Sequence, residues 1–162
     1  MRLTVQILLL TLLISSSAVA QSDEMAIEAI IKQVFIGMEK GDSAMAHQSF
    51  SKHVTMATVN TDKNGKPELV MESSMAPWLA SIAKPRPDKL YEEIWGIKIN
   101  IDGAFAQVWC DFAFYVGKNF HHCGIDSFQL FKESGTWKIF HIADTRRTTG
   151  CDVPVAIQDK HK

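Results

Sequence analysis

The feature that most restricts the fold is a run of four long β-type segments filling most of the second half of the chain. Leu90 to Ile101, Ala104 to Val116, Phe120 to Lys132 and Thr136 to Arg146 are rich in the β-branched and aromatic residues that suit a pleated, half-buried surface. Between them stand Asp102-Gly103, a turn at Gly117 to Asn119, and Ser134-Gly135, all signals for tight reversals. Connections this short make the segments antiparallel neighbours, because a parallel crossover needs about a dozen residues or more. A meander of this length carries a broad apolar face, which other elements must cover.

The cover comes from the residues ahead of it. Ile27, Ile30, Ile31, Val34, Phe35 and Met38 recur three and four apart and form one helical stripe, with Ser22 or Asp23 at its start and Gly41 at its end. Asp42 caps a second, shorter helix to about Ser49. From His53 to Asn60 the pattern turns to strand, Asn64-Gly65 marks a hairpin, and a short strand follows near Glu68 to Met71. Ser73 or Ser74 then opens a third helix holding Met75, Trp78, Leu79 and Ile82, with Pro77 in its first turn and Pro85 beyond its end. The expected class is α+β: three N-terminal helices packed on a strongly curved antiparallel sheet, forming a cone with a pocket.

Residues 1–20 read differently. Arg2 precedes an apolar run from Val5 to Ile14, too short to span a bilayer comfortably, and Ala18-Val19-Ala20 is the small-x-small pattern that signal peptidase accepts. The expectation is a signal peptide over 1–20, a single domain over 21–162, a secreted or periplasmic location, and no membrane insertion after cleavage; an uncleaved anchor is the alternative. A net charge of −1 at pH 7, with no basic run longer than Arg146-Arg147, leaves no footprint for nucleic acid or anionic lipid.

An oxidising compartment would permit one bridge among Cys110, Cys123 and Cys151. Sequence does not fix the connectivity, and three free thiols also satisfy it. Cys123 to Cys151 is preferred, because Cys151 lies in a Gly-containing tail free to fold back, while Cys110 sits among apolar strand residues that suit a buried thiol.

Alternation along the strands assembles a candidate site. With two-residue turns, Gln107, Trp109, Asp111 and Tyr115 share a face with His122, Gly124, Asp126 and Phe128, and with Trp137, Ile139 and His141. Val108, Cys110, Phe112, Phe114, Ile125, Phe131, Phe140 and Ile142 fall on the other face, and a single bulge would break this parity. Two buried carboxylates on one face would repel, raising one pKa and leaving a neutral acid beside an ionised base. Asp111 is then the candidate base, Asp126 the candidate acid, and His122 and His141 the tuning groups, for proton abstraction next to a carbonyl or for adding or eliminating water. Trp95, Trp109, Tyr115 and Phe128 are candidate ligand walls. Equally, both aspartates could be satisfied within the sheet or face water. In a regular strand Asp144 and Arg146 form an ordinary ion pair on the second face, whereas one bulge would bring Asp144 inward. His121 and His122 are adjacent, so their rings should point to opposite faces and no metal site is expected. His47 and His53 are adequately explained as surface or hairpin residues. No phosphate loop, Gly-x-Ser-x-Gly elbow, His-Glu-x-x-His or Cys-x-x-Cys is present, so no cofactor is expected.

The order of elements resembles the nuclear transport factor two-like superfamily. Within it, the run Phe120-His121-His122-Cys123-Gly124-Ile125-Asp126-Ser127-Phe128-Gln129-Leu130, then Trp137-Lys138-Ile139 and Ala143-Asp144-Thr145-Arg146-Arg147, is similar to an exported bacterial branch labelled putative lumazine-binding or SnoaL-like. The resemblance covers essentially all of residues 21–162. It implies a cystatin-like cone, a homodimer through the sheet, the carboxylate face turned inward, a small-molecule ligand, and a pocket aspartate near the end of the last strand, which makes Asp144 a candidate ligand contact. The superfamily includes isomerases, hydrolases, cyclases, dehydratases and non-catalytic binders, so fold leaves function open. Three classes follow: an exported small-molecule binder, a cofactor-independent lyase, isomerase or hydrolase, and a pocketless dimeric interaction domain.

Overall fold

The computed structural model describes residues 22–162; the expected signal peptide and its cleavage point lie outside the described residues. Helix α1 spans 22–40 and turns Ile27, Ile31, Val34 and Met38 into the core, as the four-three-four spacing requires. Its first turn is tied to the sheet, where the Asp23 carboxylate accepts from Lys132 Nζ at 2.6 Å and from Trp137 Nε1 at 3.0 Å. Helix α2 (Ser43–His47) is capped by Asp42, whose side chain accepts the Met45 N–H at 2.9 Å.

Strands β1 (Phe50–Thr61) and β2 (Pro67–Glu72) form a hairpin whose turn is held by the Asp62 carboxylate, accepting from the N–H groups of Asn64 and Lys66. Helix α3 (Ala76–Ala83) follows, with Ser74 Oγ accepting the Ala76 N–H. Two helices therefore precede the sheet rather than three. The third comes after the first hairpin, because β1 and β2 belong to the same sheet as the later meander.

The meander is β3 (Leu90–Asp102), β4 (Phe105–Val116), β5 (Asn119–Glu133) and β6 (Thr136–Thr145), within a few residues of the expected bounds. Six strands lie in the order β2-β1-β6-β5-β4-β3. One pair departs from the antiparallel expectation: β1 runs parallel to β6. The long connection through β2, α3 and three strands allows this, whereas each short turn forces reversal.

Three bulges curl the sheet around α1 and α3. Gly96 and Ile97 oppose the single residue Cys110, and Gly96 takes a left-handed φ of 61° there. His121 is the extra residue of β5 against β4, and Phe140 the extra residue of β6 against β5. The concave face buries Val108, Cys110, Phe128, Leu130, Trp137 and Ile139 against Ile27, Ile31 and Val34. Full burial of each large apolar side chain contributes about 1.5–3 kcal/mol. A fourth helix, α4 (Val155–Lys160), was not signalled by the sequence pattern; it lays Ile157 on the convex face over Ala113 and Tyr115. Among the described residues no helix is long and apolar enough to cross a membrane.

Candidate functional site

The bulge at His121 decides which residues meet. With one extra residue in β5, Cys110 lies opposite Asp126, Phe112 opposite Gly124 and Phe114 opposite His122, all on the concave face. Asp111 instead pairs with Ile125 and Trp95 on the convex face. Asp111 and Asp126 therefore do not share a face, and the expected pairing is corrected: a two-residue turn is present, but the bulge three residues past it, at His121, reverses the parity.

The second bulge acts the same way on β6. Trp137 and Ile139 keep to the concave face; past Phe140, His141 pairs with Gln129 on the convex face, while Ile142 and Asp144 face inward opposite Phe128 and Asp126. Asp144 thus reaches the interior by the single bulge that sequence reasoning identified as necessary. His141 is removed from the site and bonds Thr55 Oγ1 through Nδ1 at 2.7 Å. Trp95 and Trp109 are convex-face residues, Trp109 being 46% exposed. Tyr115 is also convex, stacked on His161 beneath the C-terminal segment with ring centroids 3.9 Å apart. Of the expected ligand walls only Phe128 lies inside, with an edge contact to Phe35 at 6.2 Å.

Inside the curl is a cavity of about 300 Å³. Val34, Phe35 and Met38 of α1, Trp78 and Ile82 of α3, and Leu90, Phe112, Phe114 and Phe128 of the sheet form its apolar wall. Its polar end gathers Glu92, Asp126, Asp144, Arg146, His121 and His122. Asp126 is 3% exposed, and its Oδ2 has no hydrogen-bond partner; Asp144 Oδ1 is likewise buried and unpartnered. Asp144 Oδ2 accepts from Arg146 Nε at 2.6 Å. Glu92 and Asp126 both line this end of the cavity, where each raises the cost of charging the buried cluster.

Burial pushes the Glu92 carboxyl up to about 7, with the nearby Asp144 charge adding to the rise. Asp126 is raised well above its ordinary value, first by burial and then by the charge of Glu92. His122 is pushed down to about 4 by burial and by Arg146, so it is neutral at pH 7. Its ring lies against Phe112 and Phe114. Cys110, directly opposite Asp126, is driven far up by burial and stays a thiol.

The two histidines correct another expectation. Both line the cavity, with Nδ1 atoms 2.8 Å apart, because a bulge lets adjacent residues turn to one side. One ring must donate and the other accept. Among the described residues, no group of three or more His, Cys, Asp or Glu side chains is placed to hold a metal ion. His47 and His53 line a separate surface cleft beside the start of α3. Cys123 and Cys151 are joined by a disulfide and Cys110 is free.

Sequence reasoning missed Glu92. Its signal was the alternation Leu90-x-Glu92-x-Ile94, which places a lone carboxylate on an apolar strand face.

The profile of the family described as putative lumazine-binding matches residues 22–142. The chain belongs to this family. No curated protein matches it. Solved structures share the fold at low identity. An NTF2-like protein with a cystatin-like fold from Novosphingobium aromaticivorans is 14% identical, with a TM-score of 0.67 over 90% of this chain and 93% of that one. The β subunit of a putative aromatic-ring-hydroxylating dioxygenase from the same species is 14% identical, with a TM-score of 0.66 over 80% and 92%. A putative dehydratase of the NTF2-like family from Streptomyces avermitilis is 12% identical, with a TM-score of 0.61 over 80% and 99%. These likenesses show an α+β fold of the NTF2-like, cystatin-like kind.

Proposed function

We propose that this is an exported domain that binds a small, partly apolar molecule in the concave cavity. The observation carrying the reading is a 300 Å³ space whose apolar walls converge on a buried acidic cluster. Such a pocket holds the ligand body by burial and orients it with a few polar groups. The disulfide supports an oxidising compartment, and intact mass of the exported chain should place the new N-terminus at Gln21. Native mass spectrometry of protein isolated from that compartment should reveal a bound small molecule. Ile82→Trp, which fills the apolar end, should lose it. Protein that carries no molecule and gains no fluorescence from an apolar naphthalene dye would defeat the binding reading.

One observation favours a second reading, acid-base catalysis. Glu92 and Asp126 lie together in the cavity's acidic cluster, and burial raises both carboxyls. With one proton between them the two offer a base and an acid, a pair able to move a proton next to a carbonyl or assist addition or loss of water. This replaces the Asp111 and Asp126 pair, whose members lie on opposite faces. In an enzyme, Glu92→Gln and Asp126→Asn should each lower kcat on the identified substrate by about 100-fold or more. Unchanged turnover in both variants would exclude the pair.

A further inference from the structure

The cavity's polar end depends on a segment that binding alone does not explain, the chain from Arg146 to its C-terminal end. Beyond Asp144 the β5–β6 ladder becomes irregular. The Ile125 N–H goes to Thr145 Oγ1 at 3.0 Å, a side chain in place of a carbonyl. The Thr145 carbonyl lies so close over Gly124 that a Cβ there would fall 1.7 Å from its oxygen. Pairing resumes for a single position, where Cys123 and Arg147 exchange two hydrogen bonds of 2.9 Å. Four residues later the chain returns and Cys151 bonds covalently to Cys123.

Arg146 lies between these fixed points. Its side chain is 50% exposed, yet Nε is held on Asp144 Oδ2. A half-exposed guanidinium loses side-chain entropy by keeping one geometry, and a strand end held by one bridge frays readily. On its other side β6 pairs with β1 as far as Thr145 opposite Val59, so beyond Thr145 the chain is held by the Cys123–Arg147 bridge and by the disulfide.

We infer that the Cys123–Cys151 bridge is a positioning element of the cavity: by fixing the end of β6 it seats Arg146 on Asp144, so the acidic cluster is completed only in the oxidised chain. The inference rests on the binding reading only for its purpose, which is a pocket that matures after export. In forming the bridge, the two thiols lose two protons and two electrons to a disulfide-bearing oxidant by exchange; one S–S bond forms here and the oxidant's S–S bond becomes two thiols. Without the bridge, Arg146 leaves and Asp144 remains as a buried carboxylate beside Asp126 and Glu92. A general staple would behave otherwise, resisting unfolding while leaving the folded cavity unchanged.

His122 reports on this without any ligand. Arg146 helps hold its titration low, whereas Asp144 pulls it the other way, so loss of Arg146 moves it upward. The measurement is an NMR pH titration of the His122 and His141 rings in the oxidised chain, in the chain reduced with dithiothreitol, in Cys151→Ser and in Arg146→Gln. Expected is an upward shift of about one pH unit or more for His122 in the last three, with His141 on the convex face unmoved. A folded Cys151→Ser chain with His122 unshifted would overturn the inference, and so would global unfolding on reduction, which would make the bridge a staple. Binding of the naphthalene dye is measured separately: a shifted His122 with no dye bound anywhere leaves the inference intact and removes the binding reading instead.

Discussion

At the residue scale the unusual group is Asp126, a carboxyl nearly sealed from water with one oxygen unpartnered and a second acid, Glu92, beside it in the same cavity. Its environment disfavours charge, so the folded chain holds protons more tightly than the unfolded chain. Glu92 rises to about 7 from an ordinary value near 4.5, and Asp126 rises too. This pair therefore favours the fold most below the unfolded carboxylate range and loses stability as pH rises through 7. His122 acts in the opposite sense. Its folded value near 4 lies below the ordinary 6.5, so its contribution is present above 6.5 and lost as pH falls toward 4. Removing the ionisable group should isolate the first effect: Asp126→Asn should raise the melting temperature at pH 8 and leave it nearly unchanged at pH 3, below the unfolded carboxylate range. Thermal melts at the two pH values check this, and a variant that melts lower than the parent at pH 8 would contradict it.

At the element scale, the bulges at His121 and Phe140 determine what the cavity contains. The strand runs themselves were legible, because β-branched and aromatic enrichment between turn signals reports on backbone conformation. Which residues face inward was not legible beyond the first bulge, because inserting one residue into a ladder leaves no compositional mark at His121 and reverses parity from there onward. That single shift exchanged Asp111 for Glu92 as the partner of Asp126. It also brought His121 beside His122. The preference for Cys123 to Cys151 came from the Gly-containing tail, whereas α4 escaped notice because it is only six residues long and packs on the convex face. Gly124 is the element-scale requirement. It has no side chain where Thr145 crosses, and an added Cβ would also meet Phe112 at 2.8 Å. Gly124→Ala must displace backbone, not a flexible side chain, and should cost about 3 kcal/mol, at the upper end for overpacking. Chemical denaturation measures this, and a loss below about 0.5 kcal/mol would mean that β6 yields freely there.

At the scale of the whole molecule, the concave face encloses the cavity beneath α1 and α3, so the convex face is the one open to contact with another copy. α4 covers its β3–β4 end, leaving Trp109, 46% exposed, and Phe105, 43% exposed, near Phe131 and Phe140. The β1–β2 arm adds Val59, Leu69 and Met71, also exposed. Large apolar side chains gathered on one sheet face suit contact with another protein surface, and a homodimer through the sheet is the arrangement we propose. In a two-fold arrangement each Trp109 meets the same surface on the partner, so a charge there is introduced twice in one interface. Trp109→Glu should convert a dimer to a monomer in sedimentation velocity. Because Trp109 lies on the face away from the cavity, the same variant should leave the His122 titration unchanged. A parent chain that sediments as a monomer at about 100 μM, well above the dissociation constant of a stable dimer, would remove the convex face as a self-association surface.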